Sequence, residues 1–463
     1  MVGVSTWSAP LAEGPVRGTV TVPGSKSITN RALVLAALAA DGATRTVAGA
    51  ARSRDTTLMV DGLAAMGAHT VVTPGRDGTL DVAVTAPPHP RAARVDCGLA
   101  GTVMRFLPPV AALADGPVEF DGDPHARTRP MGGVLEGLRG LGVALEPADA
   151  DRLPFTVLGR GGVAGGPVVL DASASSQFVS GLLLSGARYG GGVAVTHRGA
   201  GAVPSLPHVE MTVTMLRAAG VTVTTQTDDH ARTGDTSPTR WAVSAGPIAP
   251  AARFVVEPDL SGAAVYLAAA LITGGEVTVA GWPQSSRDRS SPGLPDLQPI
   301  GAVRGVLEAF GGTVTVDDAG LTVRGDGRLP GVDVDLTEVG ELAPTVTALA
   351  VVAAREGARS RLRGIAHIRG HETDRLAALA AEATALGARV AETDDGLVVE
   401  PSATLRPTRA WGAYADHRMA TAGALVGLVV PGVEVDDVTA TTKTLPDFAT
   451  DWPALVHGVG IPA

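Results

Sequence analysis

Hydrophobic and polar positions along this chain alternate between two periods. A short β-branched run with period two, such as VRGTVTV or GVDVDL, passes through a turn rich in Gly, Ser or Asp into an Ala/Leu/Val-rich stretch of helical pattern. This unit recurs six times, beginning near Val16, Ala92, Gly166, Ala252, Gly331 and Arg409, at intervals of 74 to 86 residues. The copies agree in pattern, not in identity. Five of them continue into a second helical stretch that stops at Gly and turns into a strand: DGLAAMGAHTVV, LEGLRGLGVALE, TMLRAAGVTVT, VLEAFGGTVTV and AEATALGARVAE. Gly is the expected stop because it enters the left-handed cap conformation without strain. The sixth copy runs out at LVHGVGIPA. A strand near the N-terminus is therefore expected to complete it, which puts both chain ends in one domain.

Six units of about 75 residues exceed what one core needs, so two pseudo-threefold halves are expected. The chain should cross between them near 22–24 and near 253–258, giving one domain over 24–253 and a discontinuous one over 1–23 and 254–463. Two polar stretches, 226–239 and 283–299, read as surface excursions.

Composition narrows the class. With 463 residues and 45% hydrophobic content the chain can build its cores without covalent staples. Its single cysteine, Cys97, excludes an intrachain disulfide and any multi-Cys metal site, and fits a reducing compartment. The longest uncharged stretches, 172–187 and 260–275, are too short and too interrupted to span a bilayer, and no basic residue precedes Arg17 as a secretory signal would require. A cytoplasmic protein without a membrane partner is expected. The 37 basic and 47 acidic residues give a net charge of −10, which disfavours nucleic acid as a partner. Only Lys26 and Lys443 among the basic residues are lysines, and Asn30 is the single asparagine. Codon bias accounts for the depletion but not for why these two positions stayed Lys.

The recurring helix starts carry the candidate chemistry. A helix N-terminus has partial positive charge and free N–H groups, so a cation there is locally unfavourable. Yet Lys26 and Arg31 lie at the first copy's helix start, Arg105 just inside the second's, Arg375 after HETD, and Arg418 at the sixth's. The third offers neutral donors, Ser175, Ser176 and Gln177. A Ser at a helix start is by itself more often a cap, and a single Arg more often a solvated charge. Recurrence at equivalent positions points instead to sites for phosphorylated and carboxylated small molecules. There is no GxxxxGK[ST] loop, the one G-x-G-x-x-A match, 159–164, leads into a strand, and Arg375 stands where a zinc-protease motif beginning at His371-Glu372 would need its second His. No metal and no cofactor are expected.

The segments PGSKSITNRAL, CGLAGTVMRFL, RTRPM, SASSQF, GELAP, HETDRL, YADHRMA and TTKTLPDF resemble, in order over about 16–449, the 5-enolpyruvylshikimate-3-phosphate synthase family. The resemblance implies an α/β fold of two inside-out, barrel-like domains, each with three βαβαββ units. It also implies transfer of the enolpyruvyl group of phosphoenolpyruvate to the 5-hydroxyl of shikimate 3-phosphate, with release of phosphate, by a monomeric enzyme. Carried over position by position, it assigns Lys26, Ser27, Arg31, Ser175, Ser176, Gln177, Ser205, Glu341 and His371 to shikimate 3-phosphate. Lys26, Gly101, Arg129, Gln177, Arg375, Arg418 and Lys443 fall to phosphoenolpyruvate. Glu341 matches the carboxylate that accepts the hydroxyl proton, Glu372 the one near the methylene carbon, and Lys26 joins them as catalytic. Many members have Asn at Leu99, Pro at Phe106, Asn at His367, Lys at His371 and Asp at Glu341. A neutral His371 would remove a fixed positive charge, and Leu99 and Phe106 bear on sensitivity to glyphosate beside Gly101.

The chemistry suits these residue types without a cofactor. Arg and Lys can hold a carboxylate and a phosphate by bidentate and point-charge contacts, and two carboxylates can divide the proton transfers of enol-ether addition. A related enolpyruvyl transferase acting on a UDP-sugar would need a catalytic Cys loop, and Cys97 lies instead in a helix-start motif. A non-catalytic phosphate-binding protein on the same repeats would have no use for both glutamates.

Overall fold

The computed structural model describes residues 6–39, 41–76, 78–199, 202–227, 238–282 and 297–459. The polar stretches 226–239 and 283–299 fall mostly outside these residues, which leave out 228–237 and 283–296. The chain forms two compact units, Gly24–Glu257 as one continuous piece and Met1–Pro23 with Pro258–Ala463 as the other.

Among the described residues five four-stranded sheets share one arrangement. In each, one edge strand runs parallel to its neighbour, that neighbour pairs antiparallel with the next strand, and this one pairs antiparallel with the other edge. In the continuous unit the strands Arg91–Asp96, Asp115–Asp121, Phe155–Arg160 and Ala144–Glu146 form one such sheet. Gly166–Leu170, Val193–His197, Arg240–Val243 and Val223–Gln226 form a second. The third takes its parallel strand from the far end of the unit, where Arg253–Val255 pairs with Thr44–Ala50. The discontinuous unit mirrors this, since Arg17–Val20 pairs in parallel with Glu276–Val279 before the chain enters the other unit. A further sheet is built on Asp333–Asp335 and Ser360–Arg363. Near the C-terminus Trp411 bridges Val435 in parallel, and the antiparallel partner of Glu434–Val435 is Trp7–Ser8 from the N-terminus.

The parallel-paired strands of a sheet need a crossover, and the crossover helices are where the apolar runs go. Lys26–Leu38, Gly101–Ala111 and Gln177–Gly186 pack on one another in the continuous unit, as Leu260–Thr273, Ala343–Ala354 and His417–Gly427 do in the other. These helices are buried on nearly every side. A helix apolar all round can only be a core helix. The strands instead alternate buried and exposed positions, so each unit keeps its helices inside and its sheets outside. The consequence for function is that core-helix N-termini, where Lys26, Gly101, Gln177 and Arg418 stand, are fixed by helices buried along nearly their whole length.

Candidate active site

In the continuous unit, Gly101 opens its helix beneath three converging side chains. A Cβ there would lie 3.2 Å from Gln177 Oε1, 3.3 Å from Arg105 Nη1 and 3.3 Å from Arg129 Nη1. Arg105 donates to the carbonyl of Pro130 at 2.8 Å, and Arg129 donates through Nη1 to that of Leu99 at 3.2 Å while its buried Nε has no hydrogen-bond partner. Ser175 Oγ accepts from the backbone N–H of Gln177 at 3.2 Å, which orients the start of that helix. Sequence reading placed Arg105 at a helix start but gave it no ligand. The structure brings it into the Gly101 cradle.

Lys26, at the first helical position, reaches Asp55 at 2.8 Å and remains one-fifth exposed. Arg31, one turn further, is 1% exposed and donates to Thr212 Oγ1 at 2.7 Å, to the carbonyls of Ser27 and His208 at 2.9 Å each, and to Ser180 Oγ at 3.3 Å. Its guanidinium also lies 5.0 Å from the Phe106 ring centroid. Burial pulls the Arg31 pKa down to about 9, so it stays charged at neutral pH. Ser205, six per cent exposed, has φ +48°, a left-handed backbone that a serine adopts only under constraint. It precedes the helix Pro207–Ala218, which carries His208 and Thr212 to Arg31. Ser176 is buried at the position before Gln177 and makes no side-chain cap.

The discontinuous unit gathers the remaining candidates around Arg375. This arginine is 2% exposed and is held by Asp416 through two bonds, Nε at 2.7 Å and Nη2 at 3.0 Å, with Asp416 itself at 0%. Its Nη2 also donates to Glu372 Oε2 at 2.9 Å, and Lys443 Nζ donates to Glu372 Oε1 at 2.6 Å. Burial pulls the Arg375 pKa down, but Asp416 and Glu372 outweigh it and hold the group above its ordinary range. His371 Nδ1 lies 2.9 Å from Arg375 Nη1. Burial first, then the Arg375 charge, pushes the His371 pKa well below 6.5, so the ring is neutral at pH 7 and Nδ1 accepts from Arg375. His367 stacks edge-on to it at 5.7 Å. Glu341 lies in the short turn Gly340–Leu342 and is close enough to oppose the shift of His371. Arg418 donates to Ser261 Oγ at 2.7 Å, and its backbone N–H is capped by Asp416 at 2.9 Å.

Asp416, Asp55 and Ser261 are partners of the candidate residues that sequence reading left out. Asp416 stood inside the YADHRMA segment, and an acid two residues before an arginine at a helix start was the available signal. Asp55 and Ser261 gave none. Among the described residues no group of three or more His, Cys, Asp or Glu is arranged to hold a metal, and no helix is long and apolar enough to cross a membrane. Cys97 is buried, and burial pushes its thiol up to about 12, which makes it inert.

The fold is shared with solved structures of an EPSP synthase and of an enolpyruvyl transferase. EPSP synthase from Acinetobacter baumannii aligns with a TM-score of 0.73 at 24% identity over 98% of each chain. The enolpyruvyl transferase NikO from Streptomyces tendae aligns at 0.67 with 18% identity, over 97% of this chain and 96% of that one. At such identities the likeness concerns the fold. Sequence goes further: the family model for EPSP synthase (3-phosphoshikimate 1-carboxyvinyltransferase) matches residues 11–452. A 3-phosphoshikimate 1-carboxyvinyltransferase from Mycobacterium ulcerans is 52% identical over 460 residues, 99% of both chains. The chain belongs to the EPSP synthase family, enzymes of enolpyruvyl transfer in the shikimate pathway of aromatic amino-acid biosynthesis.

Proposed function

We propose that the transfer of the enolpyruvyl group from phosphoenolpyruvate to the 5-hydroxyl of shikimate 3-phosphate runs here on two glutamates and the cations around them. Lys26, Ser27, Arg31, Ser175, Ser176, Gln177 and Ser205 serve shikimate 3-phosphate, with Glu341 and His371. Lys26, Gly101, Arg129, Gln177, Arg375, Arg418 and Lys443 serve phosphoenolpyruvate. Glu341 takes the hydroxyl proton as the oxygen adds to the enol carbon, and Glu372 delivers a proton to the methylene carbon, giving a tetrahedral adduct. Phosphate then leaves, and the methyl group returns a proton as the enol ether re-forms.

The observation that carries this reading is Glu372, held between Lys443 Nζ at 2.6 Å and Arg375 Nη2 at 2.9 Å. An anionic substrate that draws those cations away leaves a carboxylate that holds a proton more readily, as a donor to carbon must. His371 supports it, since a neutral ring adds no competing charge. The Gly101 cradle supports a small anionic donor, and glyphosate is expected to compete for it, with Gly101→Ala weakening both. We propose a cytoplasmic setting, where the single cysteine stays reduced, and a monomeric enzyme.

Phosphate release should require both substrates together and fail with either alone. Glu341→Gln and Glu372→Gln should each lower turnover by roughly 10²-fold while shikimate 3-phosphate still binds. Near-parental turnover in both variants would overturn the proton-transfer assignments.

A further inference from the structure

Glu382 takes no part in the chemistry above, yet its carboxylate is 1% exposed and fully engaged. It lies two turns after Arg375 on the helix Arg375–Ala385. It accepts from Arg409 Nη1 at 2.8 Å and Nη2 at 2.7 Å, from the backbone N–H of Gly412 at 3.0 Å, and from the Tyr414 hydroxyl at 2.6 Å. All of these donors belong to the segment that leads into the helix His417–Gly427.

That segment has an improbable backbone. Tyr414 and Ala415 have φ of +55° and +52°, and the N–H of Asp416 closes on the carbonyl of Ala413 at 2.8 Å. Two successive positive φ values inside such a bond are the pattern of a type I′ turn, which normally calls for Asn or Gly. Tyr and Ala have no local reason to adopt it, so the surroundings must impose it. Glu382 grips one flank through Gly412 and Tyr414, and Asp436 grips another by accepting the N–H of Ala413 at 2.7 Å. A Cβ on Gly412 would lie 2.7 Å from the Tyr414 ring and 3.1 Å from Glu382 Oε1, so only glycine lets the ring fold back to the carboxylate.

The residue this turn delivers is Asp416, which fixes Arg375 by two bonds and caps Arg418. We infer that Glu382 is a positioning residue for the phosphoenolpyruvate-binding arginines: by clamping the left-handed turn at 413–416 it sets Asp416, and through it Arg375 and Arg418. The inference rests on the assignment of those two arginines to phosphoenolpyruvate. A Glu382 that merely stabilised the unit would leave substrate affinities alone.

Steady-state kinetics separate the two roles. Tyr414 is 43% exposed, so Tyr414→Phe removes one hydroxyl and little packing. It should raise KM for phosphoenolpyruvate roughly 3-fold or more, Glu382→Gln roughly 10-fold, and the double variant no more than Glu382→Gln alone, with KM for shikimate 3-phosphate within about twofold throughout. Arg418→Lys reports on the underlying assignment and should raise the same KM. If Arg418→Lys raises it while Glu382→Gln and Tyr414→Phe only lower the thermal midpoint, the positioning role is overturned and the assignment stands. If Arg418→Lys leaves it unchanged, the assignment falls and the inference with it. Should Glu382→Gln fail to fold, Tyr414→Phe decides alone.

Discussion

Arg31 and Arg375 are both buried, and both were read from sequence as clamps for anions, but the two units treat the same guanidinium in opposite ways. Among the described residues Arg31 donates only to hydroxyls and backbone carbonyls and leans on the Phe106 ring. Nothing there offsets the desolvation of its charge, and its pKa is drawn down. Arg375 meets two carboxylates and is driven up instead. The difference separates two ways of receiving an anion. An anion docking near Arg31 would supply negative charge that the protein withholds; one docking near Arg375 would have to compete with Glu372 for cations already engaged.

The largest test of that contrast is thermal. Asp416→Ala leaves the buried Arg375 with Glu372 as its one remaining carboxylate partner, a change that should cost about 3–5 kcal/mol and lower the unfolding midpoint by roughly 10 °C. Arg31→Met leaves only neutral acceptors without a donor, so calorimetry should show a smaller loss, about 1–3 kcal/mol. Equal losses would break the comparison.

A smaller effect is expected from the lysines, one in each unit and each bound to a single carboxylate, Asp55 or Glu372. An ammonium is a compact point charge that can exchange a proton, whereas a guanidinium is longer, planar and always protonated. Lys26→Arg should lose most activity, roughly 10-fold or more, and Lys443→Arg a lesser part, with little change in thermal unfolding because both side chains keep contact with solvent. Activity within about twofold of the parent in both would make them generic charges.

The smallest effect concerns pH. His371 faces Arg375, Glu372, His367 and Glu341 and is held neutral, whereas in the unfolded chain it titrates near 6.5. Its folded-state pKa is depressed, so the unfolded state binds the extra proton first. Stability is full above about 6.5 and declines as pH falls through it. His371→Gln should flatten that decline in denaturant titrations between about pH 7 and 5. An unchanged slope would mean that the ring is not held neutral.

Much of the fold is legible in the sequence. The helix-start cations followed from a pattern that conflicts with helix electrostatics, and the short last copy pointed to the N-terminal strand that pairs with Glu434–Val435. What stayed hidden depends on distance in sequence or on unfavourable local chemistry. Lys26 and Asp55 lie on different helices, and nothing in either segment pairs them. Tyr414-Ala415 carries no turn signal, because the turn is imposed by Glu382 and Asp436 from outside. Glu382 itself looks like any solvated glutamate in a helical run. Arg31 reads as a ligand clamp, and only the fold reveals its four protein acceptors.

The strands at the two crossings also order events during synthesis. Arg17–Val20 leaves the ribosome early but finds its parallel partner, Glu276–Val279, only after the whole of Gly24–Glu257 has been made. Left as open chain, that intervening stretch would make the pairing a costly loop closure. The continuous unit removes the cost once it has folded, because its own ends meet: the N–H of Ser25 donates to the carbonyl of Glu257 at 2.7 Å, and just outside it the N–H of Asp259 donates to that of Pro23 at 2.9 Å. A nascent chain can therefore complete Gly24–Glu257 first, and a long-range contact becomes a nearly local one. The early strand then needs only the second half of its sheet to emerge.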